Sequence, residues 1–164
     1  MSFIIRPAGE GDVAGIMAIY NHAVVNTTAI WNDVVVDLEN RRAWCRGRSE
    51  AGFPVLVAAE DSAVLGYGSY GPFRAFDGYR LTVEHSIYVA ESARRHGIGS
   101  ALLQGLERDA RRAGRHVMLG GIAADNEPSL RLHARHGFVE TARMPEVGQK
   151  FGRWRDLVFM QKVL

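Results

Sequence analysis

The sequence predicts an α/β fold, one mixed sheet of about seven strands flanked by helices, and three observations carry that prediction. Short β-branched runs alternate with helix-period stretches along the whole chain. Its 164 residues suit a single domain spanning 1–164, within the roughly 100–200 residues expected of one core, and no linker, internal repeat or low-complexity tract divides them. Hydrophobic residues make up 47% of the chain, enough to fill that core.

Phe3–Arg6 reads as the first strand, and Asp12 can cap a helix whose apolar positions Val13, Ile16, Met17, Ile19 and Tyr20 recur near helical spacing. Asp37 precedes a second helix that ends near Gly52. Pro54 introduces Val55–Ala59, and beyond the Glu60-Asp61-Ser62 turn comes Val64–Tyr70, together a β-hairpin. Gly66, Gly68 and Gly71 leave one face of its second strand thin. Gly71–Gly78 reads as a loop rich in Phe, Arg and Gly, followed by a long strand from about Tyr79 to Val89. After a glycine turn, Ile98, Leu102, Leu103, Leu106 and Ala110 form an apolar helical stripe closed by Gly114. His116–Ile122 reads as a buried strand, and Asn126–His136 as a short helix stopped by Gly137. Segments around Phe138–Arg143 and Arg153–Val163 supply the last two strands.

Composition narrows the function classes. The chain holds no apolar run near the ~18 residues of a membrane span, and its first residues lack the apolar core of a signal peptide, so a soluble, cytoplasmic protein is expected. The 20 basic and 18 acidic side chains give a net charge of +2, too balanced to imply a nucleic-acid partner. Charge is nevertheless uneven: between Arg94 and Arg115, the six arginines Arg94, Arg95, Arg108, Arg111, Arg112 and Arg115 stand against only Glu107 and Asp109, which favours a polyanionic ligand. The single Cys45 cannot form an internal disulfide, and no Cys or His cluster has zinc-ligand spacing, so no metal is expected. Cys45, beside Trp44 in a helical stretch, reads as a packing residue.

Arg94-Arg95-His96-Gly97-Ile98-Gly99-Ser100 places a glycine-permitted turn between a strand and a helix. The first amides of a helix lack internal partners and carry partial positive charge, so this turn can cradle phosphate oxygens, with the two guanidinium groups reinforcing the preference. Neither the G-x-x-x-x-G-K-[ST] spacing nor the full G-x-G-x-x-G spacing occurs, because Leu102 stands where a third glycine would be. What remains, R-x-x-G-x-G from Arg94, resembles the acyl-CoA pyrophosphate loop of the GCN5-related N-acetyltransferases. A second pattern, N-x-x-S-x-x-L-H-x-x-x-G-F from Asn126 to Phe138, resembles that superfamily's other signature, one strand later. Thr82–Val89, Trp31-Asn32-Asp33 and Lys150–Trp154 with Asp156 resemble its phosphinothricin acetyltransferase branch, which includes enzymes for methionine sulfone and methionine sulfoximine.

The resemblance implies a GNAT fold with splayed central strands, acetyl-CoA as co-substrate, a homodimer, and a small amino acid as acceptor through its α-amino group. It places pantetheine contacts on the backbone of Ile87, Tyr88 and Val89, with the Val89 amide at the thioester oxygen. Arg94, Arg95 and the amides of His96, Gly97, Ile98, Gly99 and Ser100 would hold the pyrophosphate. Asn126 would bond the pantetheine and Ser129 would line its exit, although Asn126 is equally placed to cap a helix. Glu84 is the expected general base and His133 the expected proton donor to the departing thiolate, with helix packing the alternative for His133. Arg74 can bind a carboxylate in bidentate fashion, with Phe76, Ser86 and Glu84 completing the acceptor site and Phe73 an alternative wall. His85, alternating with Glu84, should face the opposite side and be structural. A peptide N-terminus or a polyamine as acceptor, and a non-catalytic acyl-CoA sensor, remain open at this point.

Overall fold

The computed structural model describes residues 2–164. The chain runs β1 (Ile4–Pro7), α1 (Val13–Asn26), α2 (Leu38–Glu50), β2 (Val55–Glu60), β3 (Ala63–Pro72), β4 (Thr82–Val89), α3 (Ile98–Arg112), β5 (Val117–Ala123), α4 (Glu127–Arg135), β6 (Val139–Lys150) and β7 (Arg153–Val163). The strands form one seven-stranded sheet in the order β1-β2-β3-β4-β5-β7-β6. Only the β4–β5 pairing is parallel; the other neighbours run antiparallel. Strand number, mixed pairing and helix count agree with the pattern read from the sequence.

Two boundaries differ from expectation. β4 begins at Thr82 rather than Tyr79, because Asp77–Tyr79 winds into a 3-10 turn in which Tyr79 N–H donates to Phe76 C=O and Arg80 N–H to Asp77 C=O. Those amides are spent locally and cannot join a ladder. β6 runs to Lys150 instead of stopping near Arg143, passing Pro145 by a register shift between Met144 and Gly148 with Glu146 at φ 50°. A bulge on an edge strand tolerates the proline's missing donor.

Asp37 caps α2 as expected, accepting from Asn40 N–H at 2.8 Å. Asp12 precedes α1 but makes no side-chain capping bond to it. Its buried carboxylate instead accepts from the Arg6 guanidinium at 2.6 and 2.9 Å and from Gly9 N–H at 2.7 Å. The Arg6 bond is the main reason its pKa lies below the ordinary aspartate range.

α3 packs on one face of the sheet. Leu102, Leu103, Leu106 and Ala110 are completely buried there, together with Val83, Met118, Phe138 and Val158. The thin glycine face of β3 explains how the helix comes so close. A Cβ on Gly66 would stand 3.1 Å from Ile98 Cγ2, and one on Gly68 would stand 3.1 Å from Leu106 Cδ1. α1 covers the other face through Ile16 and Ile19 against Val57, Ala59 and Tyr67, where Trp44 and Cys45 of α2 also pack. Burial pushes the Cys45 thiol pKa up, which suits packing better than reactivity.

The Lys150 side chain is buried and reaches back across the sequence. It donates to the Val24 carbonyl at 2.7 Å and to the Asn32 carbonyl, and lies over the Phe151 ring. The β6–β7 hairpin is thereby tied to the α1–α2 connection, with Trp31 seated against Gly148. Among the described residues no helix is long and apolar enough to cross a membrane, and no group of three or more His, Cys, Asp and Glu is placed to hold a metal.

This packing predicts two losses of stability, both measurable by denaturant titration. Leu106→Ala should cost about 2–5 kcal/mol through the cavity it leaves. Gly68→Val should cost about 1–3 kcal/mol by pushing α3 off the sheet. A Gly68→Val protein as stable as the parent would mean that α3 is not seated as described.

Candidate active site

β4 and β5 are hydrogen-bonded neighbours only from Thr82↔Val117 to His85↔Gly120. Beyond that point β4 stays with β3 as far as Val89↔Gly66, and β5 stays with β7 as far as Ala123↔Leu157. The two strands therefore splay, leaving Ser86–Val89 and Gly121–Ala123 on opposite banks of a gap. The parity of the β3 ladder shows what faces it. Ala90 N–H donates to Leu65 C=O, and Phe73 N–H donates to Thr82 C=O, so even-numbered backbone groups of β4 point to β3. The N–H and C=O of Ile87 and Val89 point into the gap. Tyr88 was expected beside them, but its backbone faces β3 and its side chain packs with Tyr67 toward α1. Of the three backbone segments expected to meet the cofactor, that of Tyr88 therefore faces β3 and those of Ile87 and Val89 face the gap.

The gap opens into a cleft of about 2170 Å³ that continues to the start of α3. Gly97, at φ 81°, supplies the left-handed turn that starts the helix, and Arg95 also sits at positive φ, 66°. The N–H groups of Ile98, Gly99 and Ser100 have no backbone acceptor among the described residues. Nothing lies within 4 Å of where a Cβ on Gly97 would be, whereas one on Gly99 would stand 3.2 Å from Leu132 Cδ2. Arg94 and Arg95 are exposed on the cleft wall, and His96 Nδ1 lies 2.9 Å from the Arg94 carbonyl. Ser100 Oγ is 2.6 Å from His136 Nε2, which joins the beginning of α3 to the end of α4.

Asn126 caps α4, its Oδ1 accepting from Ser129 N–H at 3.2 Å. Only one of its bonding positions is used this way, so its amide NH₂ remains available to the cleft it lines. Ser129 and His133, one turn apart on α4, line the same cleft.

His133 is buried, and both of its ring nitrogens are engaged. Nδ1 is 2.7 Å from the Ser129 carbonyl, which can only accept, so Nδ1 carries the hydrogen. Nε2 is 3.2 Å from Nε2 of His85, and the two rings lie 10° from parallel. Burial pushes the pKa of both imidazoles down, with each ring's neighbouring imidazoles adding to the effect. His85 faces away from Glu84 as alternation requires, yet its contact with His133 was not foreseen. Gly120 makes that contact possible, because a Cβ there would stand 3.0 Å from His85 Nε2 and 3.4 Å from His133 Nε2. Adjacent glycines in an apolar strand are a sequence signal for such close approach.

Gly121 does the same on the other face, where Glu84 Oε1 would lie 3.0 Å from an added Cβ. Glu84 is half-buried with no cationic partner among the described ion pairs, and burial raises its pKa above the ordinary glutamate range. Ser86 is on its strand face and also lines the cleft. Leu157 and Phe159 stand beside the Gly121 position, and the Phe159 ring meets Phe73 edge-on at 6.1 Å. Arg74 lies over the Phe73 ring at 5.3 Å, exposed and unpaired among the described residues. Phe76 is 74% exposed and does not line the cleft.

The acetyltransferase (GNAT) family model matches residues 16–138, three-quarters of the chain. The L-methionine sulfoximine/L-methionine sulfone acetyltransferase of Pseudomonas paraeruginosa is 55% identical over 162 residues, covering 98% of this chain and 94% of that protein. The phosphinothricin N-acetyltransferase of Streptomyces coelicolor is 37% identical, covering 98% and 95%. The solved structure of yncA from Salmonella typhimurium with its cofactor acetyl-CoA superposes with a TM-score of 0.97 at 52% identity, covering 100% of this chain and 95% of that one. With the splayed strands and the amide-lined helix start, these likenesses settle the family: the chain belongs to the GNAT acetyltransferases.

Proposed function

We propose that the chain, as one N-acetyltransferase domain, moves the acetyl group of acetyl-CoA onto the α-amino group of a small amino acid such as methionine sulfone, methionine sulfoximine or phosphinothricin. The observation that carries this reading is the continuity of the β4–β5 gap with the amide-rich start of α3, beside a half-buried Glu84. The relatives' substrates supply the acceptor class. A homodimer in the cytoplasm completes the reading; the long edge strand β6, with Val139, Met144 and Val147 exposed, is a surface suited to pairing.

The N–H and C=O of Ile87 and Val89 would bond the pantetheine arm as a neighbouring strand would, so the donor replaces the missing ladder. The free amides of Ile98, Gly99 and Ser100, the partial positive charge of α3, and Arg94 and Arg95 would hold the pyrophosphate. Asn126 and Ser129 would hold the arm from the α4 side.

Transfer proceeds by direct attack with donor and acceptor bound together. A free α-amino group is mostly protonated near neutral pH, so Glu84, directly or through water, takes a proton from it. A raised carboxyl pKa makes that acceptance easier. The nitrogen lone pair then attacks the thioester carbon, and charge collects on the carbonyl oxygen. The Val89 amide faces that oxygen, and a preorganised donor of this kind contributes ~3–4 kcal/mol to stabilising it. The C–S bond breaks with its electron pair on sulfur, and His133 supplies the proton that sulfur takes. Arg74 would hold the acceptor carboxylate, with Phe76 and Ser86 as further walls.

Release of CoA should be fastest with methionine sulfone, methionine sulfoximine or phosphinothricin in a panel that also holds methionine and a peptide amine. Activity confined to the peptide would sink the small-amino-acid reading. Glu84→Gln should lower kcat by about 10²–10⁴-fold with acetyl-CoA affinity unchanged. In the parent, kcat/KM should fall as pH drops through the raised Glu84 pKa, because a protonated carboxyl cannot accept; the limb should vanish in Glu84→Gln. Gly99→Val, driven against Leu132, should weaken acetyl-CoA binding about tenfold, or ~1.4 kcal/mol, by calorimetry.

A further inference from the structure

The tautomers of the His85–His133 pair follow from its partners. Since His133 Nδ1 donates to the Ser129 carbonyl, the neutral ring has a bare Nε2 that must accept. His85 Nε2, 3.2 Å away, is therefore the donor. The other nitrogen of His85, Nδ1, is then a bare acceptor, and it is buried without a partner among the described residues. The pair is a directional chain: His85 Nε2–H to His133 Nε2, and His133 Nδ1–H to Ser129. Phe138 closes it from the side, its ring edge-on to both imidazoles at 5.7 and 5.3 Å. The other titratable groups felt by His133 are His136 at the end of α4 and Glu107 of α3, and Glu107 is already paired with Lys162 at 2.6 Å.

Such a chain has a chemical consequence. A neutral His133 cannot give its single hydrogen to sulfur without becoming an anion, so it must be doubly protonated to act as donor. His133 cannot gain a hydrogen on Nε2 while His85 Nε2 also carries one, because the two would collide. Adding one proton at the bare His85 Nδ1 lets the hydrogen between the facing nitrogens move to His133 Nε2. The result is an imidazolium at His133 and a neutral His85 of the opposite tautomer. We propose that His85 is a positioning residue for the His133 proton donor, holding the orientation of a ring whose tautomer the Ser129 carbonyl fixes and making the two imidazoles take up and release one proton as a unit. The proposal rests on the reading of His133 as donor to the leaving thiolate. In the transfer the C–S electron pair goes to sulfur and sulfur takes the Nε2 hydrogen of His133, which leaves both rings neutral with their hydrogens on Nδ1 and the facing nitrogens bare. The proton that the acceptor nitrogen sheds on becoming an amide recharges the pair through water.

Histidine ring ¹⁵N spectra and steady-state kinetics test this on the folded full-length enzyme. At neutral pH the parent should show neutral His133 with hydrogen on Nδ1. His85→Leu, which has no donor, should keep hydrogen on His133 Nδ1, because the Ser129 carbonyl still accepts it, yet shift the Nε2 ¹⁵N resonance and lower kcat about 10–100-fold, with acetyl-CoA affinity and acceptor KM within about twofold. His85→Gln, whose amide can donate to His133 Nε2, should keep the tautomer and fold, yet recover only part of kcat because it cannot share a proton. Gly120→Ala, which crowds both Nε2 atoms without touching either histidine, should behave as His85→Leu does. Hydrogen on Nε2 of His133 in the parent, full kcat in either His85→Leu or Gly120→Ala, or full kcat in His85→Gln overturns the proposal. His133→Gln separates it from the underlying reading: unchanged turnover there removes the donor role itself, while the His133 Nε2 ¹⁵N shift in His85→Leu still decides whether His85 bonds and holds the ring.

Discussion

Where β4 and β5 part after His85 and Gly120, the N–H and C=O groups of Ile87 and Val89 face a gap instead of a neighbouring strand. In a protein interior an unpaired backbone group costs about 1–3 kcal/mol, so a sheet tolerates such a gap only where water or a ligand fills it. The remaining architecture keeps the gap open. β4 is held on its far side by β3, β5 is held on its far side by β7, and the four shared pairs at the base fix the angle between them. The same arrangement points α3 at the open end, where its first amides are equally unpaired. One polar ligand that is extended at one end and anionic at the other satisfies both deficits.

Glycines set how closely the parts approach. Gly66 and Gly68 let α3 lie flat on β3, while Gly120 and Gly121 make room on opposite faces of β5 for the histidine pair and for Glu84. The two halves of the proposed chemistry are thus separated by one strand and regulated by different surroundings. Glu84 keeps some contact with solvent and has no cation near it, whereas the histidines are enclosed by Phe138 and α4. Burial acts oppositely on the two kinds of group: it makes a carboxylate more willing to hold a proton and an imidazole less willing.

Much of this was legible because it depends on local chain. The turn at Gly97 and Gly99, the apolar stripe of α3 and the Asn126 cap involve residues within one or two turns of each other. Alternation along β4 correctly put His85 opposite Glu84. Features fixed by distant partners were not legible. Whether the amide of Tyr88 or of Val89 faces the gap depends on the parity of the β3 ladder, which no property of β4 alone reveals. Asp12 has the composition of a helix cap, but Arg6 in the preceding strand outcompetes the helix for its carboxylate. The strand expected around Phe138–Arg143 runs on to Lys150, and only pairing with β7 shows that a bulge carries it past Pro145. His85 and His133 are 48 residues apart, so their contact exists only once α4 has docked.

Lys150 adds a constraint of timing. Its ammonium bonds the carbonyls of Val24 and Asn32, 126 and 118 residues earlier in the chain. At about 5–20 residues per second, a ribosome needs roughly 6–25 s to make the intervening chain. During synthesis, α1 and the connection that follows it must therefore wait for the penultimate strand before their wall of the cleft is secured. This wall of the cleft is among the first segments to be made and among the last to be held in place, so a nascent chain cut short before β6 would carry a helical layer without its anchor.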